Sequence, residues 1–297
     1  MDSVFQQKEG FSTATLLRVC LKEHRVKLFI YQICYSPETK QNVPEGFLVL
    51  DNTANERPDW REFWAIRNFL NSHVLSEDAL YGFLSPKFSS KTGLDHLKIQ
   101  SYLDKHYVDE DVVSFSPFWD LMAIFKNVFE QGDFFHPGLS ESCQKFADSF
   151  LDGMDLKNSI MDSRNTIFCN YFLAKKEFWD KWLQLAEHLF FSAESNQSEL
   201  GKLLNQHTTY GLQQLPMKVF VQERLVSICL LSNQQFKCLN YSPFNTGPSA
   251  TPFNRFFHEA VVSDALKRAY MQTLHPSYLN EFASIRDSII QQLRLPE

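Results

Sequence analysis

Glycine is scarce in this chain, with 10 among 297 residues, or about 3% against roughly 7% in average proteins. No Gly-x-Gly-x-x-Gly and no Gly-Lys-Ser/Thr sequence occurs. The glycine-rich loops that hold phosphates in dinucleotide-binding and P-loop proteins are therefore excluded. The shortage also argues against a repetitive, turn-dense β architecture.

Long apolar runs and paired cysteines are also missing. No stretch approaches 18 consecutive apolar residues, and the first residues lack a basic segment followed by an apolar one, so neither a membrane span nor a secretory signal is predicted. The six cysteines are dispersed, without Cys-x-x-Cys, which fits neither a zinc knuckle nor a disulfide scaffold. They are expected to be buried thiols (Cys20, Cys34, Cys143, Cys169, Cys229 and Cys238). We expect a cytoplasmic protein, with peripheral association at the inner face of a membrane left open.

Basic residues form no cluster in the sequence. The chain has 29 Lys and Arg against 35 Asp and Glu, a net charge of −6, and no run of five basic residues. Nucleic acid is therefore not an expected partner. A local pair of basic residues could still bind an anionic small molecule.

What the sequence does contain is the pattern of an α/β protein: short apolar clusters that alternate with longer helical patterns. The predicted strands are 26–34, 47–50, 80–84, 112–115, 166–174 and 236–241. Helices are predicted over 60–70, 176–191 and 217–231, and a C-terminal helical region over 254–295. The segment 242–252 has three prolines and no periodicity, which indicates a linker. We predict one domain over 1–241, then a linker and helical extension over 242–297.

The loop after the predicted strand 80–84 carries the most information. It reads Ser85-Pro86-Lys87-Phe88-Ser89-Ser90-Lys91-Thr92-Gly93. Because α/β proteins bind ligands beyond the carboxyl ends of their strands, Lys87 and Lys91 are placed to meet an anion. The alternative is that both are ordinary solvated lysines.

Acidic residues follow or precede other predicted strands. Asp51 comes directly after 47–50 and could bond a ribose, base or sugar hydroxyl, or else serve as a turn residue that bonds its own backbone. Asp111 belongs to an acidic triplet that precedes the strand 112–115. It therefore lies at the wrong end for a ligand crevice, and a solvated acidic turn is favoured over a metal clamp.

Two further residues could carry chemistry. His136 stands between two aromatics and a Pro-Gly turn, and could equally be a partly buried histidine bonded to a loop carbonyl. Glu223 and Arg224 lie in an apolar segment. A buried carboxylate there could be a general base or half of a structural ion pair. No Gly-x-Ser-x-Gly and no His-Glu-x-x-His occurs, which disfavours serine hydrolases and zinc hydrolases.

Five motifs follow one another within residues 26–241. They are Tyr81 to Phe88, Asp111 to Val113 with Pro117, Glu130 to Gly132 with His136-Pro137, Asn165 to Ala174 followed by Phe178-Trp179 and Trp182, and Glu223 to Leu225. In order and rough spacing, these motifs resemble the bacterial polysaccharide-biosynthesis glycosyltransferases of the GT-A-like, nucleotide-diphospho-sugar type, which act in capsule and lipopolysaccharide synthesis.

The resemblance implies a GT-A-like mixed sheet flanked by helices and an enzyme that moves a sugar from a nucleotide-diphosphate donor to a hydroxyl of a glycan or lipid-linked glycan. The loop from Ser85 to Phe88 occupies the place where metal-using relatives have Asp-x-Asp. Because it offers lysine instead, a metal-independent mechanism is favoured over a divalent cation, with Lys87 and Lys91 on the diphosphate.

The resemblance also distributes the remaining roles. It makes Glu223 the acidic residue that deprotonates the acceptor hydroxyl, although a helix over 217–231 would place this residue nearly two turns inside, so that His136 or Asp111 could replace it. Ser85 and Asp51 would join the donor site. The sugar and acceptor contacts would be Asn165, Asn170, Tyr171 and Glu130.

Two other functions remain open at this point. One is a nucleotidyl or phosphosugar transferase on the same fold. The other is a non-catalytic glycan-assembly module whose many aromatic residues, 28 Phe, 10 Tyr and 5 Trp, face a partner protein. Most of these rings are explained more simply as core.

Overall fold

The computed structural model describes residues 26–195 and 197–294 of the chain. In these residues the strands are β1 Lys27–Cys34, β2 Leu48–Asp51, β3 Ala79–Leu84, β4 Val112–Ser114, β5 Phe172–Ala174, β6 His207–Tyr210, β7 Gln213–Pro216 and β8 Cys238–Asn240. The helices are α1 Pro37–Gln41, α2 Glu62–Ser72, α3 Phe88–Thr92, α4 His96–His106, α5 Trp119–Ile124, α6 Val128–Phe135, α7 Leu139–Phe150, α8 Lys176–Ser195, α9 Glu199–Asn205, α10 Lys218–Gln222, α11 Leu225–Ser232, α12 Phe257–Thr273 and α13 Pro276–Arg294.

Six of these strands form one mixed sheet in the order β2-β1-β3-β5-β4-β8. The pairs β2–β1, β1–β3 and β4–β8 are parallel, whereas β5 runs antiparallel to both of its neighbours. The prediction of an α/β protein with a mixed sheet, flanking helices and a C-terminal helical region is confirmed at this level.

The central strands β3, β4 and β5 are buried on both faces, as their apolar sequences require, whereas the edge strand β2 is mostly exposed. Every residue of β3 is buried. Tyr81 and Phe83 face a core shared with α2 and α8, while Leu80 and Leu84 face a second core shared with α4. The Trp179 indole on α8 packs edge-on against Phe83 and donates a hydrogen bond to the Tyr81 carbonyl at 3.0 Å.

The strands and helices predicted from apolar runs lie close to their expected places, with two exceptions. The strand predicted over 166–174 is wrong for its first six residues, which form an irregular segment with a turn at 169–170 ahead of β5. Cys169 and Asn170 have φ angles of +66° and +53°, a left-handed conformation that an extended strand does not contain.

The second exception is the single helix predicted over 217–231, which is two helices, α10 and α11. They are separated by Glu223 and Arg224. Glu223 therefore lies at a break between helices and not two turns inside one. The hairpin β6–β7 ahead of this break has no counterpart among the predicted elements.

The C-terminal helices pack on the body through α12 and α5. Lys267 of α12 is fully buried, and its ammonium donates hydrogen bonds to the carbonyls of Met122, Phe125 and Met161 at 2.6 to 2.7 Å. The expected linker over 242–252 contains one short 3-10 turn, and a second begins at its last residue. Ser249 within it donates hydrogen bonds to the Asp120 carboxylate at 2.6 and 2.9 Å. Division into two domains stays a prediction.

The described cysteines are unpaired. Cys34, Cys143 and Cys229 are buried, and Cys169 and Cys238 are half-buried. Cys20 lies outside the described residues.

Candidate functional site

A cavity of about 540 Å³ opens at the carboxyl ends of three parallel strands. Tyr35, Asn52 and Ser85, which line it, directly follow β1, β2 and β3. This is where α/β sheets bind ligands, and the volume suits a small organic ligand.

The opposite wall comes from later in the chain. Val219, Phe220 and Gln222 of α10 line it, together with Tyr210 and Leu215 of the hairpin β6–β7. The cavity is thus closed by the segment that precedes the break between α10 and α11.

Three cationic side chains line the cavity. Lys87 lies at the start of α3 and Lys91 in its last turn. The two residues are four positions apart and therefore lie on one face of the helix. Arg61 directly precedes α2. Within 26–195 and 197–294, neither the Lys87 nor the Lys91 ammonium has a carboxylate within 4 Å. The Lys91 ammonium instead donates to the Cys169 thiol at 3.6 Å and stands 5.7 Å from the ring centre of Tyr171.

Two glutamates share the cavity with these cations. Glu223 is half-buried and accepts a hydrogen bond from the Arg224 guanidinium at 2.8 Å. Glu62 begins α2. Desolvation, and then the nearby charge of Glu223, raise the pKa of Glu62 to about 7, against the opposing effects of Lys91, Arg61 and Lys87.

Neutral polar groups complete the lining. The hydroxyls of Ser85 and Tyr171 share a hydrogen bond of 2.8 Å. Gln222 is only 2% exposed, and its amide oxygen has no hydrogen-bond partner in the described part of the chain. Because buried polar atoms are nearly always paired, this oxygen is a candidate acceptor for a ligand.

Left-handed backbone conformations concentrate around the cavity. Of the six residues other than glycine with positive φ in the described ranges, Asn55, Arg61 and Cys169 line it. Phe118, another of the six, lies with its ring centre 5.7 Å from the Lys91 ammonium. Such conformations are costly away from glycine and persist where the surrounding structure requires them, often at functional sites.

Five of the residues predicted for the site therefore line this one cavity: Ser85, Lys87, Lys91, Tyr171 and Glu223. Asn170 is adjacent in the chain and 3% exposed, with an unpartnered side-chain oxygen among the described atoms, but it does not line the cavity.

The other predicted residues lie elsewhere and have structural partners. The Asp51 carboxylate bonds Lys40 at 2.6 Å and the Thr53 amide at 3.0 Å, the local turn bonding that the sequence left open. Asp111 accepts from the Lys237 amide at 2.8 Å at the amino end of β4. Glu130 joins Arg286 at 2.8 Å.

His136 and Asn165 do not line this cavity and also have structural partners. His136 contacts the Thr209 carbonyl through Nδ1 at 2.7 Å and stacks on Phe220 at 3.7 Å, and burial lowers the pKa of its imidazole. The Asn165 side chain accepts from the Asp162 amide at 2.9 Å and lines a second, more apolar cavity near β8.

The sequence analysis missed Arg61, Glu62, Gln222 and Tyr210. An acidic residue in the first turn of a helix is ordinary, so Glu62 gave no signal. Gln222 is recognisable only from its unpartnered burial. Tyr210 directly precedes Gly211-Leu212, a two-residue turn with glycine first, which is a hairpin signal that could have been found.

The described residues contain neither a cluster of metal-ligating side chains nor a membrane-spanning helix. No group of three or more His, Cys, Asp and Glu side chains is arranged there to hold a metal ion. No helix in that part of the chain is both long and apolar enough to span a membrane.

Comparison with known proteins adds no relative. The chain matches no family model, and no curated protein or solved structure is significantly similar to it.

Proposed function

We propose that this protein is a glycosyltransferase that moves a sugar from a nucleotide-diphosphate donor to a hydroxyl of a bacterial surface glycan or its lipid-linked precursor. The observation that carries the proposal is the mixed lining of the cavity. Ammonium groups without carboxylate partners share it with a carboxyl and an amide oxygen that lack donors. A ligand that satisfies both sets has an anionic part and a hydroxyl-bearing part, as a nucleotide sugar does.

The donor diphosphate binds at the Lys87 and Lys91 end of the cavity in this proposal. When the sugar bond breaks, negative charge develops on the leaving nucleoside diphosphate. Ammonium groups fixed beside it stabilise that charge, a task that a divalent cation performs in other enzymes. Lys91 is the stronger candidate because it is half-buried beside Tyr171 and Cys169, whereas Lys87 is exposed.

The acceptor hydroxyl loses its proton to Glu223 in the same proposal. The break between α10 and α11 brings this carboxylate to the cavity lining. The Arg224 guanidinium donates a hydrogen bond to this carboxylate at 2.8 Å and so fixes its position in the lining. Tyr171 and Ser85 offer a shared hydroxyl pair to the sugar. We place the reaction in the cytoplasm, with the lipid-linked acceptor reached at the inner membrane face.

A thermal-shift experiment tests the donor site. UDP, GDP, dTDP and their hexose derivatives are added to the full chain, with and without EDTA. At least one is expected to raise the melting temperature in a concentration-dependent way, because a ligand that binds the folded state stabilises it. The absence of any shift would contradict the proposal, and loss of the shift in EDTA would contradict lysine in place of metal.

Lys91→Ala is the matched variant for this experiment, with Lys105→Ala on the exposed face of α4 as its control. Loss of a charge-assisted hydrogen bond costs about 1.5 to 3 kcal/mol, so the nucleotide affinity of Lys91→Ala should fall roughly 10- to 100-fold. The control should bind like the parent protein. Equal nucleotide affinities in all three proteins would contradict a role of Lys91 in donor binding.

The products separate this function from its alternatives. A glycosyl transfer or slow donor hydrolysis releases a nucleoside diphosphate, whereas a nucleotidyl transferase releases pyrophosphate from a nucleoside triphosphate. A glycan-assembly module would release neither.

A further inference from the structure

Glu62 is a carboxyl in the proposed donor cavity that no motif identifies. It lines the cavity together with Arg61, Lys87, Lys91 and Glu223. Its side chain has no hydrogen bond or ion pair with any residue in the described ranges, whereas the other acidic residue of the cavity, Glu223, is bonded to Arg224 at 2.8 Å. The two carboxyls therefore differ in whether a cationic side chain bonds them.

That difference decides which carboxyl holds a proton. Two half-buried carboxylates that share one cavity repel each other, so one of them takes up a proton more readily than an isolated glutamate. The Arg224 guanidinium donates a hydrogen bond to the Glu223 carboxylate. Glu62 lacks such a contact with the described residues, so Glu62 is the carboxyl that takes up the proton.

The other charged and titratable groups around Glu62 act in both directions. Lys91, Arg61 and Lys87 favour its ionised form, and Glu223 opposes it. The remaining titratable groups of this lining are Tyr35, Tyr210, Cys169 and Tyr171. Burial raises the pKa of the last two, that of Cys169 to about 11. Both therefore stay neutral near pH 7. With burial dominant, the pKa of Glu62 rises to about 7, in the range where a bound anion can change its protonation.

A bound diphosphate shifts this balance further. It engages the ammonium groups that favour ionised Glu62 and adds negative charge to the same cavity. Both effects favour the neutral carboxylic acid, whose O–H can donate a hydrogen bond to a ligand oxygen. The proton comes from solvent, and no covalent bond changes.

We propose that Glu62 binds the nucleotide sugar as a neutral carboxylic acid, so that donor binding to this protein is coupled to the uptake of one proton. This inference rests on the proposed function, since it takes the diphosphate as the anion. In this proposal Glu62 is a binding residue, and the affinity of the protein for the nucleotide sugar falls as the pH rises.

Calorimetry with a nucleotide sugar tests this coupling. The probe is whichever of UDP-glucose, GDP-mannose and dTDP-glucose gives the largest thermal shift. Its phosphates are diesters and carry no proton that titrates near neutral pH, unlike a terminal phosphate with a pKa of about 6. Binding is measured between pH 6 and 8.5, at each pH in two buffers of different ionisation enthalpy, so that the buffer-dependent heat gives the number of protons taken up.

For the parent protein we expect uptake that approaches one proton at pH 8 and an affinity that falls up to tenfold per pH unit above pH 7. Glu62→Gln should show no uptake and an affinity that changes little with pH. Glu141→Gln, an exposed glutamate of α7, is the control and should behave like the parent. Melting temperatures of all three proteins establish that each is folded.

The outcomes separate the two proposals. Binding of the probe without proton uptake, or with uptake that persists in Glu62→Gln, overturns the role of Glu62 and leaves the donor site standing. Failure of all three nucleotide sugars to bind the folded parent protein overturns the donor site, and the proton coupling with it.

Discussion

At the scale of single residues, the cavity holds two glutamates that differ in their neighbours. Glu223 keeps a guanidinium at 2.8 Å, and Glu62 has no such partner in the described residues. In the proposals above, these two residues of one type have different roles: Glu223 is the base, and Glu62 is a hydrogen-bond donor to the nucleotide sugar.

Glu223→Gln tests the charged member of this pair. The amide keeps the size and a hydrogen-bond acceptor for Arg224 but cannot take a proton. We expect donor affinity to change less than threefold and turnover to fall about 10²- to 10⁴-fold, the usual contribution of a general base. Single-turnover assays with a nucleotide sugar and glycan acceptor, alongside calorimetry, provide the two measurements. Weakened donor binding with normal turnover would show that Glu223 binds the donor and is not the general base.

Glu62→Gln has an additional effect on stability in the absence of ligand. The pKa of Glu62 is raised from 4.5 to about 7 by folding, so ionised Glu62 destabilises the folded state. This cost is absent below about pH 4.5, grows as the pH rises to 7, and is constant above that. The variant should therefore be more stable than the parent at pH 8, by on the order of 2 kcal/mol.

Urea unfolding at pH 5 and pH 8 measures this difference, with Glu141→Gln as the exposed control. The gain should be much smaller at pH 5. A gain of equal size at both pH values would mean that the substitution acts through packing and not through the charge.

At the scale of elements, the antiparallel strand β5 lies close against β3. A Cβ atom added to Gly82 of β3 would come within 2.2 Å of the Leu173 side chain and 3.1 Å of the Phe172 carbonyl oxygen. Gly82 is thus required by a close approach between strands and not by its backbone angles, since no positive φ is found there. The sequence contains no sign of this neighbour.

Gly82→Ala should consequently destabilise the protein by about 2 kcal/mol, in the range found for overpacked cores. Gly247→Ala is the matched control, because an added Cβ there meets no atom within 4 Å. Chemical denaturation of both variants measures the difference. Equal stabilities would show that β5 can move away from β3 without cost.

How far the sequence predicts these elements depends on the origin of each signal. The strand predicted over 80–84 matches β3 within one residue because a fully buried strand is an uninterrupted apolar run. The error at 166–171 has a different origin: Cys169 and Asn170 adopt positive φ, and although asparagine tolerates this conformation, it does not require it. Likewise, Glu223 and Arg224 are good helix formers, and their break depends on tertiary packing.

The residues of the candidate site also divide into those that a local sequence pattern indicates and those that depend on tertiary packing. Lys87, Lys91 and Ser85 were predictable because they directly follow a recognisable strand, and strand ends are where α/β ligands bind. Glu62 and Gln222 reach the cavity from elements whose arrangement depends on long-range contacts. Their roles become visible only as an unpartnered carboxyl and an unpartnered amide.

At the scale of the whole molecule, one buried lysine joins the C-terminal helices to the body. The Lys267 ammonium satisfies three carbonyls, those of Met122, Phe125 and Met161. These carbonyls belong to segments on both sides of α6, so Lys267 of α12 connects parts of the body that are distant in sequence. Beside it, Asp264 bonds the amide and hydroxyl of Ser163 at 2.8 and 2.9 Å.

Lys267→Met removes the three donors while it keeps the length of the side chain. We expect a loss of stability on the order of 3 kcal/mol, because the buried carbonyls are left without partners. The exposed Lys105→Met should leave stability unchanged. Urea unfolding, followed by limited proteolysis of the C-terminal helices, provides the measurement, and an unchanged unfolding midpoint would contradict this role.

The position of β5 between β3 and β4 has a consequence for synthesis on the ribosome. β3 and β4 share no edge with each other, so the sheet of a growing chain stays in separate pieces until residues 172–174 have left the exit tunnel and inserted between them. Until then, both inner edges expose unpaired amides and carbonyls, the kind of surface that recruits other strands. Ribosome-bound chains arrested before residue 172 should therefore depend on chaperones more than chains arrested after β8.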